Sequence, residues 1–218
     1  MKFLALLFLL SFNLQAQTSD RFPGFRPVLT PCPNPLTYDT TGVVIRGCPN
    51  SSRLLILLNG TNANCRFYQS VLWEFITRGY MVACPESRNT GDGTDGVKAF
   101  DEVLDLGFIF DYVLVTGHSQ GGGGSVATAY YLQETYAGLE VDIMPVEPAF
   151  YMGYKFREYA PLLLGNKLVV YGVFDNVILP GTVLSGFQRF TEPKLMEPIY
   201  SGHTNPHGGW ERLLPMFD

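Results

Sequence analysis

One segment limits what this chain can fold into more than any other: Val113-Leu114-Val115-Thr116-Gly117-His118-Ser119-Gln120-Gly121-Gly122-Gly123-Gly124. An apolar run of strand length passes through a five-residue Gly-x-Ser-x-Gly turn into a stretch with helical spacing. The serine of such a turn must sit in a strained backbone conformation, so that its hydroxyl projects from the end of a sheet. The flanking glycines keep side chains out of the space where strand and helix converge. The helix that follows adds its free N–H groups and the positive end of its dipole beside the hydroxyl. Ser119 is therefore the candidate nucleophile, and the backbone N–H of Gln120 is one candidate donor to an oxyanion.

The rest of the chain supplies the scaffold this turn requires. Apolar strand-length runs at 43–45, 54–58, 80–84, 111–116, 141–146, 168–173 and 198–200 alternate with helical spacing at 67–77, 97–106, 125–137, 154–164 and 182–190. Leu54 to Leu58 is continuously apolar, as in a strand buried on both faces. Alternating strands and helices predict an α/β protein with a mostly parallel central sheet and helices on both faces. At 218 residues the sequence suits one such domain, expected to span 17–218. The loop 86–96 and the segment 147–154 are expected to line the cleft.

A nucleophilic serine needs a base, and the base needs an orienting carboxylate, in the chain order serine, acid, histidine. Two histidines lie downstream, His203 and His207. His203 follows a strand in Ser201-Gly202-His203-Thr204 and is the candidate base, with His207 the alternative. Asp175, just past the strand ending at Val173, is the candidate acid, and Glu147 is the runner-up at the same sheet edge. His118, inside the turn, reads as a packing or hydrogen-bonding residue. The second oxyanion donor should come from the loop after the early buried strand, where Thr61 follows Gly60. No group of His, Cys and Asp shows metal-ligand spacing, so neither a metal nor an organic cofactor is expected.

The first residues read as a secretory signal: Lys2, an apolar run from Phe3 to Leu10, then Leu14-Gln15-Ala16. The run is too short to span a bilayer, so 1–16 is expected to be removed and the protein to be secreted or periplasmic, without a stable membrane anchor. Four cysteines, Cys32, Cys48, Cys65 and Cys84, then meet an oxidising setting. Of their three possible pairings, sequence neighbours fit best, because Cys32 and Cys48 flank a hairpin and Cys65 and Cys84 fall at one end of the sheet. Closing the loop from Cys65 to Cys84 would stabilise the fold by about 3 kcal/mol. The formal net charge of −5 argues against a nucleic-acid partner. A monomer is expected.

Several segments also carry a family resemblance. Leu58-Asn59-Gly60-Thr61, Asn89-Thr90-Gly91-Asp92-Gly93, the Ser119 motif with its four glycines, Phe174-Asp175-Asn176-Val177-Ile178-Leu179-Pro180 and Gly202-His203-Thr204-Asn205-Pro206 occur in order. Together they resemble secreted bacterial α/β hydrolases of the dienelactone-hydrolase, chlorophyllase and cutinase-like group, which includes polyester hydrolases. The resemblance runs from about Leu54 to the C-terminus. It implies an α/β-hydrolase fold, Ser119, Asp175 and His203 as a triad, and hydrolysis of a small-molecule or polymeric ester through an acyl-enzyme. The same scaffold also carries peptidases and acyltransferases. Dienelactone hydrolases proper use Cys where this chain has Ser119. Cutinase-type polyester hydrolases often have an aromatic residue where Thr61 stands and a Trp where Ala149 stands. These departures point away from terephthalate polymers, with Phe150 expected as a partial substitute. The sequence stops at Asp218, where relatives continue through a longer final helix, so a truncated member is one reading.

Overall fold

The structure is a computed structural model that describes residues 32–40, 42–87, 90–203 and 210. The expected signal sequence and the alternative base His207 lie outside the described residues. Among the described residues eight strands form one sheet: β1 Leu36–Asp39, β2 Val43–Gly47, β3 Arg53–Leu58, β4 Met81–Pro85, β5 Tyr112–His118, β6 Glu140–Val146, β7 Lys167–Gly172 and β8 Lys194–Ile199. Their spatial order is β1-β2-β4-β3-β5-β6-β7-β8. β1 and β2 form an antiparallel hairpin, β2 runs antiparallel to β4, and every pairing from β4 to β8 is parallel. Parallel strands need crossover connections, and the helical segments of the sequence supply them.

Those helices are α1 Gln69–Thr77, α2 Thr94–Asp105, α3 Gln120–Thr135, the single turn α4 Phe156–Tyr159, and α5 Pro180–Phe187. They fall on both faces. Val113 and Val115 of β5 join Ala99 and Phe100 of α2, Val126 of α3 and Val183 of α5 in one apolar layer. Tyr112 and Leu114 of the same strand face the other way, packing with Val71, Leu72 and Phe75 of α1 and with Trp210. The period-two alternation of a strand thus feeds two cores at once, and the near-continuous apolar runs of β3 and β5 follow from it.

Several elements differ from the sequence expectation: β1 was not among the expected strands, and the helix expected at 154–164 is the single turn α4 followed by a 3-10 turn at Ala160–Leu162. Helix α3 starts at Gln120, five residues before the expected 125, because its first turn is made of glycines that carry no helical apolar spacing. Glycine disfavours helix by about 1 kcal/mol per residue relative to alanine, and here close packing decides instead. β8 covers Lys194–Ile199 rather than 198–200 alone, since its half-exposed, edge position leaves a mixed pattern of polar and apolar residues. Both neighbouring cysteine pairs are bonded, Cys32–Cys48 beside the β1–β2 hairpin and Cys65–Cys84 between the turn before α1 and the end of β4. With separations of 16 and 19 residues, each constrains the unfolded chain by about 3 kcal/mol. Among the described residues no helix is long and apolar enough to cross a membrane.

Candidate active site

The C-terminal ends of β3, β5, β6, β7 and β8 lie in register along one sheet edge, with Leu58 opposite Gly117, His118 opposite Val146, and Gly172 opposite Ile199. Ser119 projects from the middle of this edge. Its backbone adopts φ 54° and ψ −116°, a region that L-residues occupy only under constraint. Three hydrogen bonds hold it there: Ser119 N–H donates to Val146 O at 3.1 Å, and Ser119 O accepts from Gly123 N at 3.1 Å and Ala149 N at 2.8 Å. Space matters as much as strain. A side chain at Gly121 would collide with the carbonyls of Leu58 and Asn59, one at Gly123 with Ala149 O, and one at Gly124 with Thr90 O, while one at Gly122 would press tightly on Pro148. Each of the four glycines lets the α3 backbone touch a different part of the surrounding loops.

The other predicted residues converge on Ser119. Its hydroxyl donates to His203 Nε2 at 2.9 Å, and His203 Nδ1–H donates to Asp175 Oδ2 at 2.8 Å. The second oxygen, Asp175 Oδ1, accepts from the backbone N–H groups of Val177 and Ile178, both at 2.8 Å. One carboxylate therefore closes the turn after β7 and orients the imidazole at once. Ser119 and Asp175 are buried, and the His203 side chain keeps 12% exposure, a narrow opening to solvent.

Gln120 and Thr61 also meet. Thr61 and Asn62 are the central residues of a turn closed by Ala63 N–H to Gly60 O at 3.0 Å, with Asn62 at φ 59°. The Thr61 hydroxyl donates to Gln120 Oε1 at 3.2 Å. This contact draws the loop after β3 against the first residue of α3. The two expected cleft segments are joined as well, by Tyr154 N–H to Gly91 O at 2.9 Å.

Some features of the site were not anticipated. Glu147 is not the residue hydrogen-bonded to His203, but it stays close: its Oε2 lies 3.8 Å from His203 Nδ1. His118 is hydrogen-bonded, one of the two roles expected of it, but its partners were not foreseen: it bonds Tyr68 at 3.0 Å and Glu147 at 3.2 Å, and its ring lies 4.8 Å from that of His203. His118, Glu147 and His203 bring metal-ligand-type atoms within 4.8 Å of one another, but those atoms are already engaged, His118 with Glu147 and His203 with Asp175. Sequence spacing could not reveal a cluster assembled from the ends of three separate strands. Phe150 does not substitute for the missing cleft aromatics: it is buried, stacked on Phe156 with ring centroids 4.4 Å apart, and the exposed ring is its neighbour Tyr151. The short helical turn there rolls Phe150 inward against Phe156 and Phe190, where its area is removed from water.

No protein-family model and no curated protein sequence matches the chain. Solved structures do. A predicted CIB-like hydrolase from Thermoplasma acidophilum matches with a TM-score of 0.62 at 16% identity, covering 84% of this chain and 94% of its own. Est1E from Butyrivibrio proteoclasticus matches at 0.61 and 13%, over 84% and 95%. Dienelactone hydrolase from Anabaena variabilis matches at 0.66 and 12%, over 84% and 94%. With its strand order and mostly parallel sheet, the chain has the α/β-hydrolase fold.

Proposed function

We propose that the protein is a serine hydrolase that cleaves carboxylic esters through an acyl-enzyme on Ser119. The observation that carries this reading is the 2.9 Å contact from Ser119 Oγ to His203 Nε2, in line with the 2.8 Å contact from His203 Nδ1 to Asp175. A base at hydrogen-bond distance from a strained, projecting hydroxyl, itself oriented by a carboxylate, is what nucleophilic catalysis by serine requires. His203 accepts the Ser119 proton as Oγ bonds to the ester carbonyl carbon, and Asp175 stabilises the imidazolium. The N–H groups of Thr61 and Gln120 receive the oxyanion. His203 then returns the proton to the departing alcohol. Water, deprotonated by the same imidazole, releases the acid and restores Ser119.

The surroundings favour an apolar substrate. Phe174 and Tyr200, 68% and 67% exposed, stand at the same sheet edge with ring centroids 6.3 Å apart, and Val177 and Leu179 are exposed beside them. Exposed apolar groups on the chain segments that flank Asp175 and precede His203 suit an ester with an apolar acyl or alcohol part. The two disulfides suit a protein that works outside the reducing cytosol, in keeping with secretion.

Fluorophosphonate labelling of the protein beside its Ser119→Ala variant tests the nucleophile. Labelling confined to the unaltered chain is expected, and equal labelling of both removes Ser119 from the chemistry. Release of p-nitrophenol from esters of increasing acyl length then measures the acyl site, with no turnover on any of them counting against ester hydrolysis.

A further inference from the structure

Beneath His203 lies a second acid–histidine pair that the scheme above does not use. Glu147 follows β6, is fully buried, and holds a φ of 45°, with its N–H bonded to Val170 O at 2.8 Å. A carboxylate in such a place is costly unless its oxygens are occupied. They are. Oε1 accepts from the Ser201 hydroxyl at 3.0 Å, and Oε2 accepts from His118 Nε2–H at 3.2 Å. Oε2 also stands 3.8 Å from His203 Nδ1, close enough for a substantial attraction in a dry site.

The chain of donors continues in one direction. His118 Nδ1 accepts from the Tyr68 hydroxyl at 3.0 Å, and the Tyr68 oxygen accepts from Gly60 N–H at 3.0 Å. Burial pushes the Tyr68 phenol up to about 12; the Gly60 N–H opposes this and Glu147 adds to it, so the hydroxyl keeps its proton and remains a donor. Space has been left for the arrangement too. A Cβ at Gly172 would collide with Glu147 Oε1 and approach Ser201 O at 2.9 Å and Asp175 Cβ at 3.1 Å. Only a residue without a side chain lets two carboxylates sit side by side there.

We propose that Glu147 is a positioning residue of the catalytic centre, a second carboxylate beside Asp175 that also ties two loops together. Through Ser201 it holds the loop that carries His203, and through His118, Tyr68 and Gly60 it holds the loop that carries Thr61. The base and the oxyanion donor act on opposite sides of the same carbonyl, and Glu147 fixes their separation. When the proton passes from Ser119 Oγ to His203 Nε2, the imidazolium faces two negative charges, one hydrogen-bonded and one 3.8 Å away. The inference rests on ester hydrolysis at Ser119.

A double-mutant cycle on the full chain tests it, read as kcat and KM for p-nitrophenyl butyrate between about pH 5 and 9. Loss of the orienting aspartate in a Ser-His-Asp centre costs roughly 10⁴-fold; here Asp175→Asn is expected to cost only about 10²-fold, because Nδ1–H turns to Glu147. Glu147→Gln alone is expected to lower kcat about tenfold with little change in KM. It also moves the acidic limb of the profile to lower pH, because a negative charge is withdrawn from the imidazolium. In the Asp175→Asn background the same substitution is expected to cost at least ~10-fold more than in the unaltered chain. An equal cost in both backgrounds with an unmoved acidic limb overturns the proposal. Should Glu147→Gln not fold, His118→Gln and Ser201→Ala approach the carboxylate from its two donors. Each is expected to lower kcat about threefold with KM held, and an unchanged kcat in both overturns the proposal. Ser119→Ala separates the two levels: turnover that survives it defeats the ester reading itself. Turnover lost with it, beside an additive cycle, defeats only the role given to Glu147.

Discussion

The two ends of the sheet both bury carboxylates, and they use them differently. At the N-terminal end Asp142 of β6 is sealed from solvent, accepting from the Tyr112 hydroxyl at 3.0 Å and from Asn166 N–H at 2.6 Å. Burial nevertheless raises its carboxyl to about 6, opposed by the hydrogen bonds from Asn166 and Tyr112. Lys167 is buried nearby, and burial lowers its ammonium below the usual lysine range while the Asp142 charge opposes the shift. At the C-terminal end Asp175 and Glu147 are also buried, but their partners lead to a serine at φ 54° and a histidine open to solvent. The strained non-glycine residues Ser119 and Glu147 both belong to this second end. Buried polarity alone marks a place where folding is constrained. Buried polarity joined to backbone strain and a narrow exposure is the combination that the reaction proposed at Ser119 would use.

The sharpest way to break this contrast is to cut one residue at each end. Ser119→Ala is expected to lower ester turnover by at least roughly 10⁴-fold while leaving thermal unfolding almost unchanged, whereas Asp142→Ala leaves kcat near its original value and lowers the midpoint. A loss of activity in the second variant equal to the first would erase the distinction between the two ends. Gly121→Ala comes next. Its Cβ meets the carbonyls of Leu58 and Asn59, so a cost of about 3 kcal/mol or more in chemical denaturation is expected, with activity lost alongside.

Asp142 gives a third test, through pH. Its folded-state carboxyl near 6 lies above the 3.8 of the unfolded chain, so the folded state binds the proton more tightly. Stability from this group is present below about pH 4 and is lost as pH rises through 6, by about 3 kcal/mol in all. Unfolding free energies of Asp142→Asn minus those of the unaltered chain should therefore rise between these pH values, and a flat difference would remove the argument. The smallest effect belongs to Thr61→Val, which keeps the backbone N–H but removes the hydroxyl bonded to Gln120 Oε1. A loss of about threefold in kcat, with the fold intact, is expected from enzyme assays.

How much of this could be read from the sequence follows from the range of each interaction. The strand–turn–helix at Ser119 is local, and its glycines mark the turn by their spacing alone. Asp175 and His203 could be placed beside Ser119 because parallel strands send every following loop to the same edge. The hairpin and neighbouring-cysteine pairing were legible for the same reason, as contacts close along the chain. The start of α3 was hidden by Gly121 to Gly124, whose helical state depends on what packs against them rather than on their own propensity. Phe150 was misplaced because a single turn of helix after β6 decides which way its ring points. The association of Glu147 with His118, Tyr68 and Ser201 joins four separate segments of the chain, and no periodicity or spacing records that.

The four glycines of α3 have a further consequence for how a hydrolase of the proposed kind would change its preferences. Leu58–Asn59, Pro148, Ala149 and Thr90 all rest on one turn of one helix, so the roots of three loops are anchored to the same hub as the proposed nucleophile. Insertions or substitutions toward the tips of those loops would reshape the cleft without disturbing the hub. Changes at the roots would displace Ser119 itself. A library of variants selected for a new substrate should therefore accumulate changes at the loop tips, leaving the hub as a small block of positions where substitution is costly.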